Sequence, residues 1–167
     1  MKGFTLIELL IVMVLIGLIT GMAMLSMGTA DPHEQQKLEA ERLVKLLELA
    51  SQESIARGDI IGLEIFSKGY RFAVVENQKW RQESTDMVFR PHTLMPQMLL
   101  ALDMEQQAVT LMPEAIQASD PHPQIVFTPD GDMDLFNIKM TLKNSYSIFV
   151  VKNTPKDGLV IRTESLL

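Results

Sequence analysis

The chain has no cysteine. That excludes disulfide bonds and thiolate metal sites, and it leaves the redox character of its compartment open. Positive charge is in short supply, with 15 Lys and Arg against 21 Asp and Glu and a formal net charge of −6. No nucleic-acid partner is expected, because phosphate binding rests on clustered Lys and Arg. An acidic body likewise gains nothing at an anionic lipid surface. The chain has no phosphate loop, no dinucleotide fingerprint and no G-x-S-x-G elbow. His33, His92 and His122 are far apart, show no ligand spacing, and each adjoins a proline, so they read as surface histidines. Serines and aspartates are present, but a hydrolytic triad is a matter of geometry rather than spacing. No catalytic residue and no cofactor follow from the sequence.

Long apolar runs are also scarce, with one exception at the front. From Phe4 to Met27 the chain is apolar on nearly every side of any helix drawn through it, and Leu9 to Ala30 carries no charge. At 1.5 Å per residue the uncharged part is about 33 Å long, enough for a hydrocarbon core of about 30 Å. The run is therefore expected to span a membrane, and the residues behind it suffice for one small domain with a single core. Glu8 lies inside the run, with Phe4, Thr5, Ile11 and Val12 at helical neighbour positions and no basic residue among them. A carboxylate in such a setting costs at least about 2.5–3.5 kcal/mol and is a functional candidate by default. Cleavage between Gly3 and Phe4 would create an amino group able to serve as its counter-charge. Gly17 and Gly21 form a G-x-x-x-G pair, which lets another helix approach closely.

Lys2-Gly3-Phe4-Thr5-Leu6-Ile7-Glu8 followed by this apolar run resembles the N-terminal signal of type IV pilins and type II secretion pseudopilins. The resemblance implies a prepilin peptidase that cuts after Gly3 and methylates Phe4. It also implies that Glu8 pairs with the N-terminal amine of a neighbouring subunit. In a low-dielectric helix bundle a carboxylate and an ammonium attract strongly, and each alone would be costly. Segments follow from this: a leader at 1–3, a transmembrane and assembly helix at 4–30, and a periplasmic α+β domain at 31–167. Pilin-type helices often carry a proline in their second half, whereas Thr20 to Met27 has none. The alternatives are a secretory signal peptide cut after Gly28-Thr29-Ala30 and an uncleaved anchor.

Past Asp31-Pro32, which suits a helix start, an amphipathic pattern places Ala40, Leu43, Val44, Leu47, Ala50, Ser51, Ser54 and Ile55 on one face. Glu39, Arg42, Lys45, Glu48 and Glu53 fall elsewhere and read as a solvated face, and Gly58 ends the helix. Strand-like runs then take over: Ile60–Phe66 and Tyr70–Val75 as a hairpin, followed by Trp80. Met87–Arg90, Met98–Leu102 and Val109–Met112 are weaker, demoted to edges by Pro91, Pro96 and Pro113. Residues 115–123 read as a loop. Clear strands resume at Ile125–Thr128, Leu135–Leu142, Tyr146–Lys152 and Leu159–Arg162. The expected class is α+β, with a long hydrophobic helix continuing into an amphipathic helix packed on antiparallel sheets.

Gly62-Leu63-Glu64, Gly69-Tyr70-Arg71-Phe72, Trp80 and Ile125 to Met133 with Phe136 are similar to the H-type minor pseudopilins of the type II secretion system. That resemblance implies a two-sheet pilin-like domain and a low-abundance subunit of a periplasmic pseudopilus. Its implied partners are the major subunit, the tip subunits, the prepilin peptidase and the inner membrane. The signal is shared with minor type IV pilins, including DNA-uptake types, and an exported enzyme or binding module on a membrane anchor is the reading from another class. Asp130, Asp132 and Asp134 alternate like the first ligands of a calcium loop, but Leu135 and Thr141 stand where such a loop needs glycine and glutamate. A tight Pro-Asp-Gly turn is the better reading, and the three aspartates remain only a weak metal candidate.

Overall fold

The computed structural model describes residues 5–26, 31–83, 87–114 and 120–165. It divides into two compact units, Met1–Asp31 and Pro32–Leu167. The leader and Phe4 lie outside the described residues, as do residues 27–30, where the apolar helix was expected to run on into the amphipathic one.

The first unit is helix α1, Leu6–Ser26. The Thr5 carbonyl opens it by accepting from the backbone N–H groups of Glu8 (3.1 Å) and Leu9 (3.3 Å). With no proline in the run, nothing removes a donor from the ladder. Thr20 satisfies its hydroxyl within the helix by donating to the Ile16 carbonyl at 2.7 Å.

The second unit begins with α2, Pro32–Arg57. Proline sits at the first helical position, where its missing N–H costs nothing. Gly58 ends the helix with φ +71°, the left-handed conformation glycine tolerates best, and its N–H donates to the Ser54 carbonyl at 3.0 Å. Among the described residues ten strands follow: β1 Ile61–Phe66, β2 Gly69–Glu76, β3 Lys79–Gln82, β4 His92–Thr93, β5 Met98–Met104, β6 Gln107–Val109, β7 Ile125–Phe127, β8 Phe136–Leu142, β9 Ser147–Thr154 and β10 Gly158–Ser165. They form two antiparallel sheets, one ordered β3-β2-β1-β7 with β4 paired to β2, the other β10-β9-β8-β5-β6.

The helix face contributes Ala40, Leu43, Leu46, Leu47 and Ala50 to a core shared with Leu63, Phe72, Phe127, Phe136, Ile138 and Met140. Each leucine buried there contributes roughly 1.5–3 kcal/mol. The turn between β1 and β2 fastens one sheet to the other. Ser67 donates its N–H to the Met112 carbonyl and accepts from the Leu100 N–H, both at 2.8 Å.

The outer face of the first sheet is covered as well. A Cβ on Gly62 would lie 2.9 Å from the Trp80 ring, so only glycine lets Trp80 and Pro123 rest on the strand. Beside it, Glu64 and Arg71 stand opposite each other across β1 and β2, both buried, 2.6 Å apart.

Four expectations need correction. Met87–Arg90 is a bend and turn, not a strand, and it inserts Phe89 against Phe72 with ring centroids 4.8 Å apart. Met98–Leu102 is not an edge. It belongs to β5, which lies between β8 and β6, because Pro96 precedes the ladder and removes no donor from it. Val109–Met112 is not a strand either; the edge strand there is β6, reached from β5 through a turn with positive φ at Glu105 and Gln106. On α2, Ile55 is exposed while Gln36 and Leu46 are buried. Gln36 is accommodated by donating to the Met140 carbonyl at 2.8 Å.

Candidate functional site

The candidate site is α1 with its single acid. Twenty-one residues of helix amount to about 31 Å, and Leu6–Ala23 is long and apolar enough to cross a membrane. Every side chain from Thr5 to Ala23 is exposed. Glu8 occupies the first turn. Among the described residues no Lys, Arg or His forms an ion pair with it. Gly17 and Gly21 share one face, and the space where a Cβ would sit is open at both. The helix thus presents a carboxylate near its front with no ion-pair partner among the described residues, and an open glycine strip behind it. Gly3 and Phe4, the residues expected to be processed, lie outside the described residues.

The three aspartates are divided among separate tasks. The Thr128 hydroxyl donates to Asp130, which holds that carboxyl below its usual range. Asp132 supplies its main-chain carbonyl to the Thr128 N–H at 3.2 Å. The Asp134 carboxylate accepts from the Val126 N–H at 3.2 Å. Gly131 donates to the Thr128 carbonyl, closing the tight turn. Among the described residues there is no group of three His, Cys, Asp or Glu side chains placed to hold a metal ion.

Of the histidines, His122 is exposed and points its Nδ1 at the Asp120 carbonyl, 2.7 Å away. His33 lies between the hydroxyls of Ser145 (3.2 Å) and Ser147 (3.3 Å), linking the first turn of α2 to the β8–β9 turn. His92 corrects the reading of Glu39 as a solvated charge. Its Nε2 is 2.9 Å from the Glu39 carboxylate, which also accepts from the Tyr70 hydroxyl at 3.0 Å. Burial works to raise the Glu39 pKa, but hydrogen bonding and charge from His92, the Tyr70 hydroxyl and the Arg42 charge outweigh it and hold the carboxyl below its ordinary value. Burial, then the Glu39 charge, push the Tyr70 hydroxyl well above its own. No spacing rule links positions 39, 70 and 92. The pairing of His92 with Tyr70 across β4 and β2 brings them together.

Two family models match the chain: the prokaryotic N-terminal methylation motif over residues 1–24, and type II transport protein GspH over residues 39–155. The type II secretion system protein H of Aeromonas hydrophila is 28% identical over 147 residues, covering 84% of this chain and 80% of its own length. Its counterpart in Pseudomonas aeruginosa is 28% identical over 146 residues, covering 83% and 82%. Among solved structures, the minor pseudopilin EpsH of Vibrio cholerae superposes with a TM-score of 0.60 at 19% identity, covering 77% of this chain and 95% of that one. The solution structure of Escherichia coli GspH gives 0.55 at 18% identity, over 83% and 94%. The two-sheet body, the apolar helix and the match over most of the chain lead to one placement: the chain belongs to the type II transport protein GspH family.

Proposed function

We propose that this chain is a minor subunit of the type II secretion pseudopilus. It is held in the inner membrane by α1, with its body in the periplasm, until α1 docks against the helices of other pseudopilins. The major subunit and the tip subunits are its neighbours. The prepilin peptidase cuts after Gly3 and methylates Phe4, and the new amine of one chain faces the Glu8 carboxylate of another. The chain acts by assembly and not by catalysis.

The observation that carries this reading is Glu8, exposed in the first turn of an otherwise largely apolar helix and without an ion-pair partner among the described residues. An isolated charge in hydrocarbon is costly, and a cation from a neighbouring chain removes that cost. Mass spectrometry of the N-terminal peptide from envelope-purified protein is expected to return methylated Phe4. An N-terminus at Met1 or Asp31 overturns the reading. Glu8→Gln is expected to abolish or strongly reduce incorporation into sheared pseudopili while the protein remains in the membrane, and wild-type incorporation of that variant would also refute it.

A further inference from the structure

The β8–β9 turn, residues 143–146, is fastened to the start of α2. His33, in the first turn of that helix, lies 3.2 Å from the Ser145 hydroxyl and 3.3 Å from that of Ser147. One turn further on, the Gln36 amide reaches the Ser147 carbonyl at 3.4 Å. Lys143 donates its N–H to the Gln97 carbonyl at 2.8 Å, and Ser145 donates to that of Leu142 at 3.0 Å. The turn is therefore held in place by neighbours on both sides. The chain itself limits where it can go. Ser26 ends α1 and Pro32 begins α2, six residues later, so even fully extended backbone separates the two by at most about 22 Å.

The side chains of this turn suit a lipid surface. Tyr146 is 78% exposed, more than any other large apolar side chain described in the body. Among the described residues neither Tyr146 nor Lys143 makes a side-chain hydrogen bond or an ion pair. Tyrosine gathers at membrane–water interfaces because its ring is apolar while its hydroxyl stays wet, and lysine is drawn to anionic lipid. The net charge of −6 argues against a lipid surface for the body at large, but charge is unevenly placed. The β2–β3 turn adjoins Glu76, β5–β6 holds Glu105, the β7–β8 connection holds Asp130, Asp132 and Asp134, and β9–β10 holds Asp157. In residues 143–146 the one charge is Lys143. Asp31 and Glu34 stand at the adjoining start of α2, so the Tyr146 ring carries the contact and Lys143 offsets their repulsion from an anionic surface.

We propose that the β8–β9 turn is a membrane-resting foot: while α1 is anchored, Tyr146 lies in the lipid headgroup layer with Lys143 beside it, and the body waits on the bilayer in this attitude before it enters a fibre. The inference rests on the membrane anchoring given above and is independent of Glu8 and of processing at Gly3.

Trp80 is the sole tryptophan, so a second one reports on its own surroundings. Full-length protein is reconstituted alone into vesicles of phosphatidylethanolamine and phosphatidylglycerol that carry brominated acyl chains as quencher. Tyr146→Trp keeps an interfacial ring at the foot, while Lys156→Trp places one in the exposed β9–β10 turn, about 25 Å away at the other end of β9. The emission added by Tyr146→Trp is expected to be blue-shifted and lost to the quencher, and that added by Lys156→Trp to persist. Adding Lys143→Glu to Tyr146→Trp is expected to lower the ratio of quenched to unquenched emission roughly fivefold, one basic residue's worth at an anionic surface. Equal quenching at the two positions, quenching indifferent to Lys143→Glu, or shielding of position 146 only once other pseudopilins are added each overturns the proposal. Flotation with the vesicles reads the anchor separately. A chain that floats while Tyr146→Trp stays unquenched refutes the foot and leaves the anchoring intact, whereas a chain that does not float refutes the anchoring and the foot with it.

Discussion

The two helices of this chain differ in where their partners come from. α2 carries a stripe of seven buried residues and meets both sheets of its own body. α1 is apolar all round, and its described side chains are exposed. A helix of the first kind is completed by intramolecular packing, while one of the second kind needs lipid or other chains to cover it. One acid on each helix shows the same difference. Glu39 is met by Tyr70, His92 and Arg42, and Glu8 has no ion-pair partner among the described residues. The contrast indicates that the body is built to be self-sufficient and the stem is not.

The largest expected effect breaks the comparison at its apolar surfaces. Leu47→Ala, at a fully buried position on α2, is expected to destabilise the body by about 2–5 kcal/mol. Leu15→Ala on α1, exposed in the isolated chain, is expected to leave it unchanged. Urea denaturation in detergent, followed through Trp80 fluorescence, reads both, and an equal loss for the two variants would erase the distinction. A smaller effect sharpens the comparison at the acids. Glu39→Gln is expected to cost about 1.5–3 kcal/mol at neutral pH, the range for hydrogen bonds to charged groups. Because the folded carboxyl is held low, the Glu39 contribution is full above the unfolded value, about pH 4.3. It is lost as pH falls through the lower folded value. The gap between wild type and Glu39→Gln should therefore close on acidification. The smallest effect concerns the end of α2. The Ser54 hydroxyl lies 2.6 Å from the Asp59 carbonyl and 3.0 Å from that of Phe127, and Ser54→Ala is expected to lower the denaturation midpoint by the equivalent of about 1 kcal/mol.

Much of this was legible in the order of residues, where local chemistry decides. Pro32 and Gly58 bound α2 where the capping rules place them, and the hairpin around Ser67 and Lys68 follows from turn residues between β-type runs. The readings that missed depend on what a segment meets after folding. Gln36 continues the 40–43–47 stripe but is polar, and its burial needs the Met140 carbonyl from β8. Glu39 looks solvated on a helical wheel until Tyr70 and His92 arrive from another layer. Pro96 looked as if it would weaken β5, yet it stands outside the ladder. In the stem, Glu8 stands out from sequence alone because no basic residue occupies its helical neighbour positions.

The fastening at Ser67 carries a mechanical consequence. Its amide and carbonyl reach Met112 and Leu100 at the same turn, so the two slabs share a rivet rather than a hinge. Parting the two slabs at this turn would break the Leu100–Ser67 bond.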